Sequence, residues 1–219
     1  MHLRGPVRLC IPNESGPALL GAVIADFACQ HPELEISCIT NLSGLESLRD
    51  DLDLAIIVTR GQLEDTDYIA RHLLTIPCTI VAAPSVIQRY GIPSDIRQLE
   101  QLPCITTVSA LKGSAWQFID NKGKFETIKV KGHYRVNSGE MAGRAALAGV
   151  GFAILSRQAC QPFIDDGRLT EIRFEQEAAP LQLFALYSDR RFLPAKIRAL
   201  IDFIHQHLNS QAPFTGSGI

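Results

Sequence analysis

Apolar positions along this chain switch repeatedly between the short runs of buried strands and the three-to-four spacing of helices. Residues 7–11 read as a buried strand, and Asn13-Glu14-Ser15-Gly16-Pro17 behind it carries turn and helix-start residues. Leu20, Val23, Ile24 and Phe27 recur at helical spacing up to His31-Pro32, where the proline disfavours further helix. Residues 34–40 then alternate as a strand. A strand–helix–strand order of this kind predicts a parallel pair joined by a right-handed crossover.

The pattern continues with a short helix at 43–50, Leu45 and Leu48 inward, and an almost wholly apolar strand at 52–58. Strands are expected at 69–76 and 79–83, broken at Pro77, and a helix from Pro84-Ser85 to Tyr90, closed by Gly91. After a turn and short helix at 92–103, strands are expected at 104–108 and 116–119, with a polar hairpin turn at 120–124. Residues 127–136 alternate through Ile128, Val130 and Tyr134 and read as one strand. A helix at 138–148 should bury Met141, Ala145 and Ala148, followed by a strand at 152–155 and a helix at 157–166. The last elements are a strand at 181–187 and a helix begun by Pro194, with Ile197, Leu200, Ile201, Ile204 and Leu208 in one stripe. The chain is therefore α/β throughout and supports two Rossmann-like lobes, residues 1–84 with 186–209 and residues 85–185, and a disordered tail at 210–219. Two such lobes leave a cleft, the usual place for a small ligand.

Charge removes some function classes. The 21 basic and 23 acidic residues give a net charge of −2, unlike the basic surface that nucleic-acid binding demands. The longest apolar runs, 145–155 and 54–58, fall short of the ~20 residues needed to span a bilayer. The N-terminus lacks a secretory h-region, so a cytoplasmic protein is expected. Six cysteines, at 10, 29, 38, 78, 104 and 160, include no CxxC pair. Those at 10, 38, 78 and 104 lie in or beside strand-like runs and are expected to be buried, reduced thiols, with a redox-sensing pair as the alternative.

Val7-Arg8-Leu9 with the turn behind it, His31-Pro32-Glu33-Leu34 and Leu52-Asp53-Leu54-Ala55-Ile56 resemble the effector-binding domain of LysR-type transcriptional regulators. So do Ala82-Ala83-Pro84-Ser85, Trp116 with Phe118, Val136-Asn137-Ser138-Gly139-Glu140, the small-residue stretch Ala145 to Gly151, and Leu193-Pro194 with the helix that follows. The resemblance runs in order over residues 5–209. It implies a type II periplasmic-binding-protein-like fold, its lobes joined by two crossing hinge strands at 79–84 and 181–188. It also implies a small-molecule effector in the cleft and a homodimer, or a tetramer in the full-length protein, with helix 18–30 as the dimer element. DNA would be met only through a winged helix-turn-helix and linker helix upstream, in a longer regulator. The alternatives are a free-standing solute-binding protein of a transporter, a cysteine-based redox sensor, or an enzyme on the same scaffold.

Candidate ligand contacts follow from strand ends and helix starts. Asn13 and Ser15 precede the first helix, whose free N–H groups favour an anion, although capping alone explains such residues. Thr40 follows the second strand, with Ser43 beyond it, and Thr59 and Arg60 follow the third, at the carboxyl edge where open α/β sheets bind ligands. The family's arginine near here falls on Ile57 or Val58, so Arg60 is its candidate substitute. In the second lobe Thr106 and Thr107 lie on a strand leading to the cleft, and Asn137, Ser138 and Gly139 open a helix. Trp116 reads as packing. No GxSxG or HExxH occurs, His205 and His207 are two residues apart on a helix, and Gly149-x-Gly151 lacks a third glycine. No catalytic residue, metal site or cofactor is therefore expected.

Overall fold

A computed structural model describes residues 2–41, 51–63, 65–107, 115–188 and 193–210. The helix expected at 43–50, with Ser43, and the tail beyond Ser210 lie outside them. The chain divides into two compact units, one within Met1–Thr75 and Gln182–Phe214, the other within Ile76–Leu181.

In the first unit, strand β1 (Gly5–Pro12) is followed by helix α1 (Gly16–Gln30) and strand β2 (Leu34–Asn41). β3 (Leu54–Arg60), β4 (Tyr68–Ile76) and, after the second unit, β13 (Leu181–Ser188) complete a sheet of order β2-β1-β3-β13-β4. β1 runs parallel to both β2 and β3, as the crossover rule requires. Its apolar residues Val7, Leu9, Cys10 and Ile11 are buried, and so are Leu54 to Ile57 of β3. Helix α1 buries Leu19, Leu20, Val23, Ile24 and Phe27. Helix α5 (Ala195–Ser210) buries the predicted stripe, and its Phe203 ring lies 5.2 Å from Phe27. β2 is an edge strand and mostly exposed, so its alternation does not bury Cys38 as expected; Cys38 and Cys29 are both exposed. β4 and β13, where the chain leaves this unit and returns, are tied side to side: His72 Nε2 lies 2.8 Å from Gln182 Oε1, and the Thr75 hydroxyl donates to the same oxygen at 2.7 Å.

The second unit opens with β5 (Cys78–Ala82), helix α2 (Pro84–Tyr90), a 3-10 helix (Ile96–Gln101) and β6 (Pro103–Thr107). Strands β7 (Ala115–Ile119), β8 (Phe125–Lys129) and β9 (Lys131–Val136) precede helix α3 (Gly139–Leu147). Then come β10 (Phe152–Ser156), helix α4 (Arg157–Asp165) and the short strands β11 (Thr170–Ile172) and β12 (Glu177–Ala178). The main sheet has the order β11-β5-β10-β6-β9, with β10, β6 and β9 parallel and β5 antiparallel to both neighbours. Trp116, Phe118, Ile128 and Phe152 fill one apolar cluster, and Ile105, Val136, Ala142, Ala146 and Leu155 another. Gly151 permits the start of β10 to approach β6: a Cβ there would lie 2.3 Å from the Pro103 carbonyl oxygen.

Two expectations change in this unit. Residues 127–136 form two strands, because β8 pairs antiparallel with β7 in a small sheet while β9 joins the main sheet beside β6. Helix α3 buries Ala142, Ala145 and Ala146 and leaves Met141 46% exposed, so its inward face is turned by one residue from the one read in the sequence. β11 and β12, of three and two residues, are too short to show a period in the sequence.

Candidate functional site

In the first unit the predicted residues lie at the carboxyl edge of three adjacent parallel strands. Thr40 is paired with Ile11 at the end of β2, and the Asn13 N–H donates to the Asn41 carbonyl at 3.1 Å. Asn13, Ser15 and Thr40 are exposed. Thr59 and Arg60 are half-buried at the end of β3, where the Thr59 hydroxyl donates to the Gln62 carbonyl at 3.4 Å.

Ser15 departs from a capping serine. It stands at the start of α1 in the left-handed region, φ 62°, and its hydroxyl makes no capping hydrogen bond. Its carbonyl accepts from the Leu19 N–H at 2.8 Å, and Pro17 has no N–H to offer. A left-handed serine is strained by roughly 1–2 kcal/mol, the kind of local strain that clusters at ligand clamps. Its hydroxyl is therefore not committed to the helix.

The second unit repeats the arrangement with a different division of labour. Thr107 is paired with Val136, so the end of β6 adjoins Asn137 and the start of α3. Ser138 is a true cap: its hydroxyl accepts from the Met141 N–H at 3.3 Å, and its carbonyl from the Ala142 N–H at 3.0 Å. Glu140 in the first turn pairs with Arg144 at 2.9 Å. Asn137 is exposed and Gly139 half-buried. Thr106 is 1% exposed and is paired with Arg135. Arg135, an exposed cation at this edge, is a candidate that the sequence did not nominate, because nothing in the alternation of 127–136 reveals the bulge that aims it.

Electrostatics separate the cysteines from this chemistry. Burial pushes the Cys104 and Cys160 thiols up to about 12 and raises Cys10 and Cys38 as well. Thiolate is the reactive form, so buried Cys104 and Cys160 are poor nucleophiles at neutral pH. Among the described residues no group of His, Cys, Asp and Glu could hold a metal ion, and no helix is long and apolar enough to cross a membrane.

Two α/β units, each with hydroxyl and amide side chains at the carboxyl edge of parallel strands, make this a protein of the open α/β class, in which ligands bind at such strand ends. Residues 2–209 match the LysR substrate binding domain, and the chain belongs to that family. It is 26% identical, over 91% of its length, to the HTH-type transcriptional activator TtdR of Escherichia coli K12, and spans 64% of that protein. The full-length virulence activator AphB of Vibrio cholerae superposes with a TM-score of 0.71 at 18% identity, over 94% of this chain and 69% of that one. The regulatory domain of CcmR from Synechocystis PCC6803, in complex with 2-PG, gives 0.65 at 15% identity, over 95% and 99%. The fold is thus the type II periplasmic-binding-protein-like fold of LysR regulatory domains. The relatives are transcription regulators and not enzymes, and neither a transporter's solute-binding protein nor a cysteine-based redox sensor is favoured.

Proposed function

We propose that this chain is the effector-binding and dimerisation domain of a cytoplasmic LysR-type transcription regulator. It senses a small polar or anionic metabolite and relays its binding to an N-terminal DNA-binding domain. The match over residues 2–209 to a substrate-binding domain, among relatives that are HTH-type regulators, carries the reading. The two polar edges support it. Asn13, Ser15, Thr40, Thr59 and Arg60 in the first unit, and Thr106, Thr107, Asn137, Ser138 and Gly139 in the second, are the residues we assign to effector contact. The complex of the CcmR regulatory domain with 2-PG agrees with ligand binding by this fold. The effector would act by binding one conformational state of the domain, or of a homodimer or tetramer, better than another.

The test is a thermal-shift screen against small carboxylates, amino acids and aromatic acids. A ligand at about 100 times its Kd adds ~2.7 kcal/mol to stability. A saturable shift that Ser15→Trp abolishes without unfolding the protein is expected. Turnover of the ligand, or no ligand from any class, would count against the reading.

A further inference from the structure

Strand β9 carries a bulge. Along its pairing with β6, Gly132 lies beside Cys104 and Tyr134 beside Ile105, so His133 has no partner. In an unbroken strand residues three apart face opposite sides; one extra residue restores them to the same side. Gly132 and Arg135 consequently share a face. A Cβ on Gly132 would lie 2.6 Å from the Thr106 hydroxyl oxygen, 2.9 Å from Arg135 Nε and 3.2 Å from Arg135 Cγ. The glycine leaves the space in which the arginine stem crosses the strand beside a buried hydroxyl.

The charge at this place is unusual within its unit. Of the seven arginines between Ile76 and Leu181, Arg97, Arg144, Arg157, Arg168 and Arg173 pair with carboxylates, and Arg89 lies over the Tyr90 ring. Among the described residues Arg135 has neither kind of partner. The residue is exposed, two positions before Asn137 at the carboxyl edge. Bulges near binding sites re-aim a side chain, and a guanidinium is the fork that matches a carboxylate or phosphate with two parallel hydrogen bonds.

We propose that Arg135 is the charge-selecting contact of this domain: it recognises an oxyanion group, carboxylate or phosphate, on the ligand, with Thr106 and Gly132 fixing its stem. The inference rests on the effector-binding reading above and narrows the ligand to an anion. Arg60 of the other unit is not needed for it.

Calorimetric titration tests it, with inorganic phosphate, oxalate and succinate as anionic probes and succinamide as the neutral counterpart of succinate. The expected result is saturable binding of at least one anion, weakened at least tenfold by Arg135→Gln and by less in Arg135→Lys, which keeps the charge and loses the fork. Gly132→Ala, which displaces the stem while retaining the arginine, should weaken it in the same direction. Circular dichroism confirms that each variant is folded. Anion binding unchanged in Arg135→Gln, succinamide binding as tightly as succinate, or no anionic probe binding at all would overturn the assignment. Binding of a neutral or cationic compound that Arg135→Gln leaves intact would do so while preserving the effector-binding reading. Absence of binding across anionic, neutral and cationic probes would remove both.

Discussion

The Arg157 guanidinium meets the Glu171 carboxylate at 2.5 Å, joining the first residue of α4 to the middle of β11. The carboxylate is only 10% exposed and also accepts from the Thr79 hydroxyl and Arg173 Nε, each at 2.8 Å. Burial pushes its pKa up, but the hydrogen bonds from Thr79, Arg173 and Arg157 outweigh burial and hold it below 4.5. A carboxylate lowered on folding adds stability that is complete above its unfolded value and lost as pH falls through the folded one. Glu171→Gln should therefore cost about 2 kcal/mol at pH 7, the scale of hydrogen bonds to a charged group. Urea midpoints measured against pH should show the gap between variant and parent closing below about pH 4.

Two glycines should respond to the same substitution with opposite sign. Gly21, in the middle of α1, has nothing within 4 Å of its missing Cβ. Gly21→Ala should stabilise the protein by about 1 kcal/mol, the difference in helix propensity. Gly151→Ala places a Cβ 2.3 Å from a backbone oxygen and 2.9 Å from a backbone carbon of Pro103. The two strands must then move apart, at roughly 1–3 kcal/mol or more. Thermal unfolding of both variants settles the signs.

The two serines at helix starts should separate in the same assay. Ser138 caps α3, so Ser138→Ala should cost about 1 kcal/mol. Ser15 makes no capping hydrogen bond and has φ 62°. Ser15→Gly should be neutral or stabilising by up to about 1 kcal/mol, since glycine removes the left-handed strain at some cost in chain entropy. If the hydroxyl contacts the effector, the same variant weakens binding while the fold is unharmed.

How far the sequence reveals such detail depends on what writes the pattern. Full burial does: the apolar runs of β1 and β3 and the α5 stripe were legible because each has a dry face along its whole length. The alternation of 127–136 misled because Val130, between β8 and β9, is itself buried and keeps the period running through the break. The strand β2 misled in another way, since alternation cannot tell an edge strand from a central one. At the site, strand ends and cap-type residues located the two carboxyl edges. The backbone angle that frees Ser15, and the bulge that aims Arg135, have no marker in residue type.

Thiol reactivity offers the last test, because burial and exposure divide the six cysteines. Cys29 and Cys38 are exposed, whereas Cys10, Cys78, Cys104 and Cys160 are buried. Partial desolvation against the strand, with the Cys10 thiol nearby, raises Cys38 above its usual value although its surface is exposed. Attack on a disulfide reagent proceeds through thiolate, so at pH 8 Cys29 should react first and Cys38 more slowly. Cys104 and Cys160, pushed up to about 12, should react only as the native state opens. A time course with an aromatic disulfide reagent should accordingly show two native-state thiols and four more released together in denaturant. Fast labelling of Cys104 or Cys160 in the native protein would show that the second unit opens locally far more readily than its packed core implies.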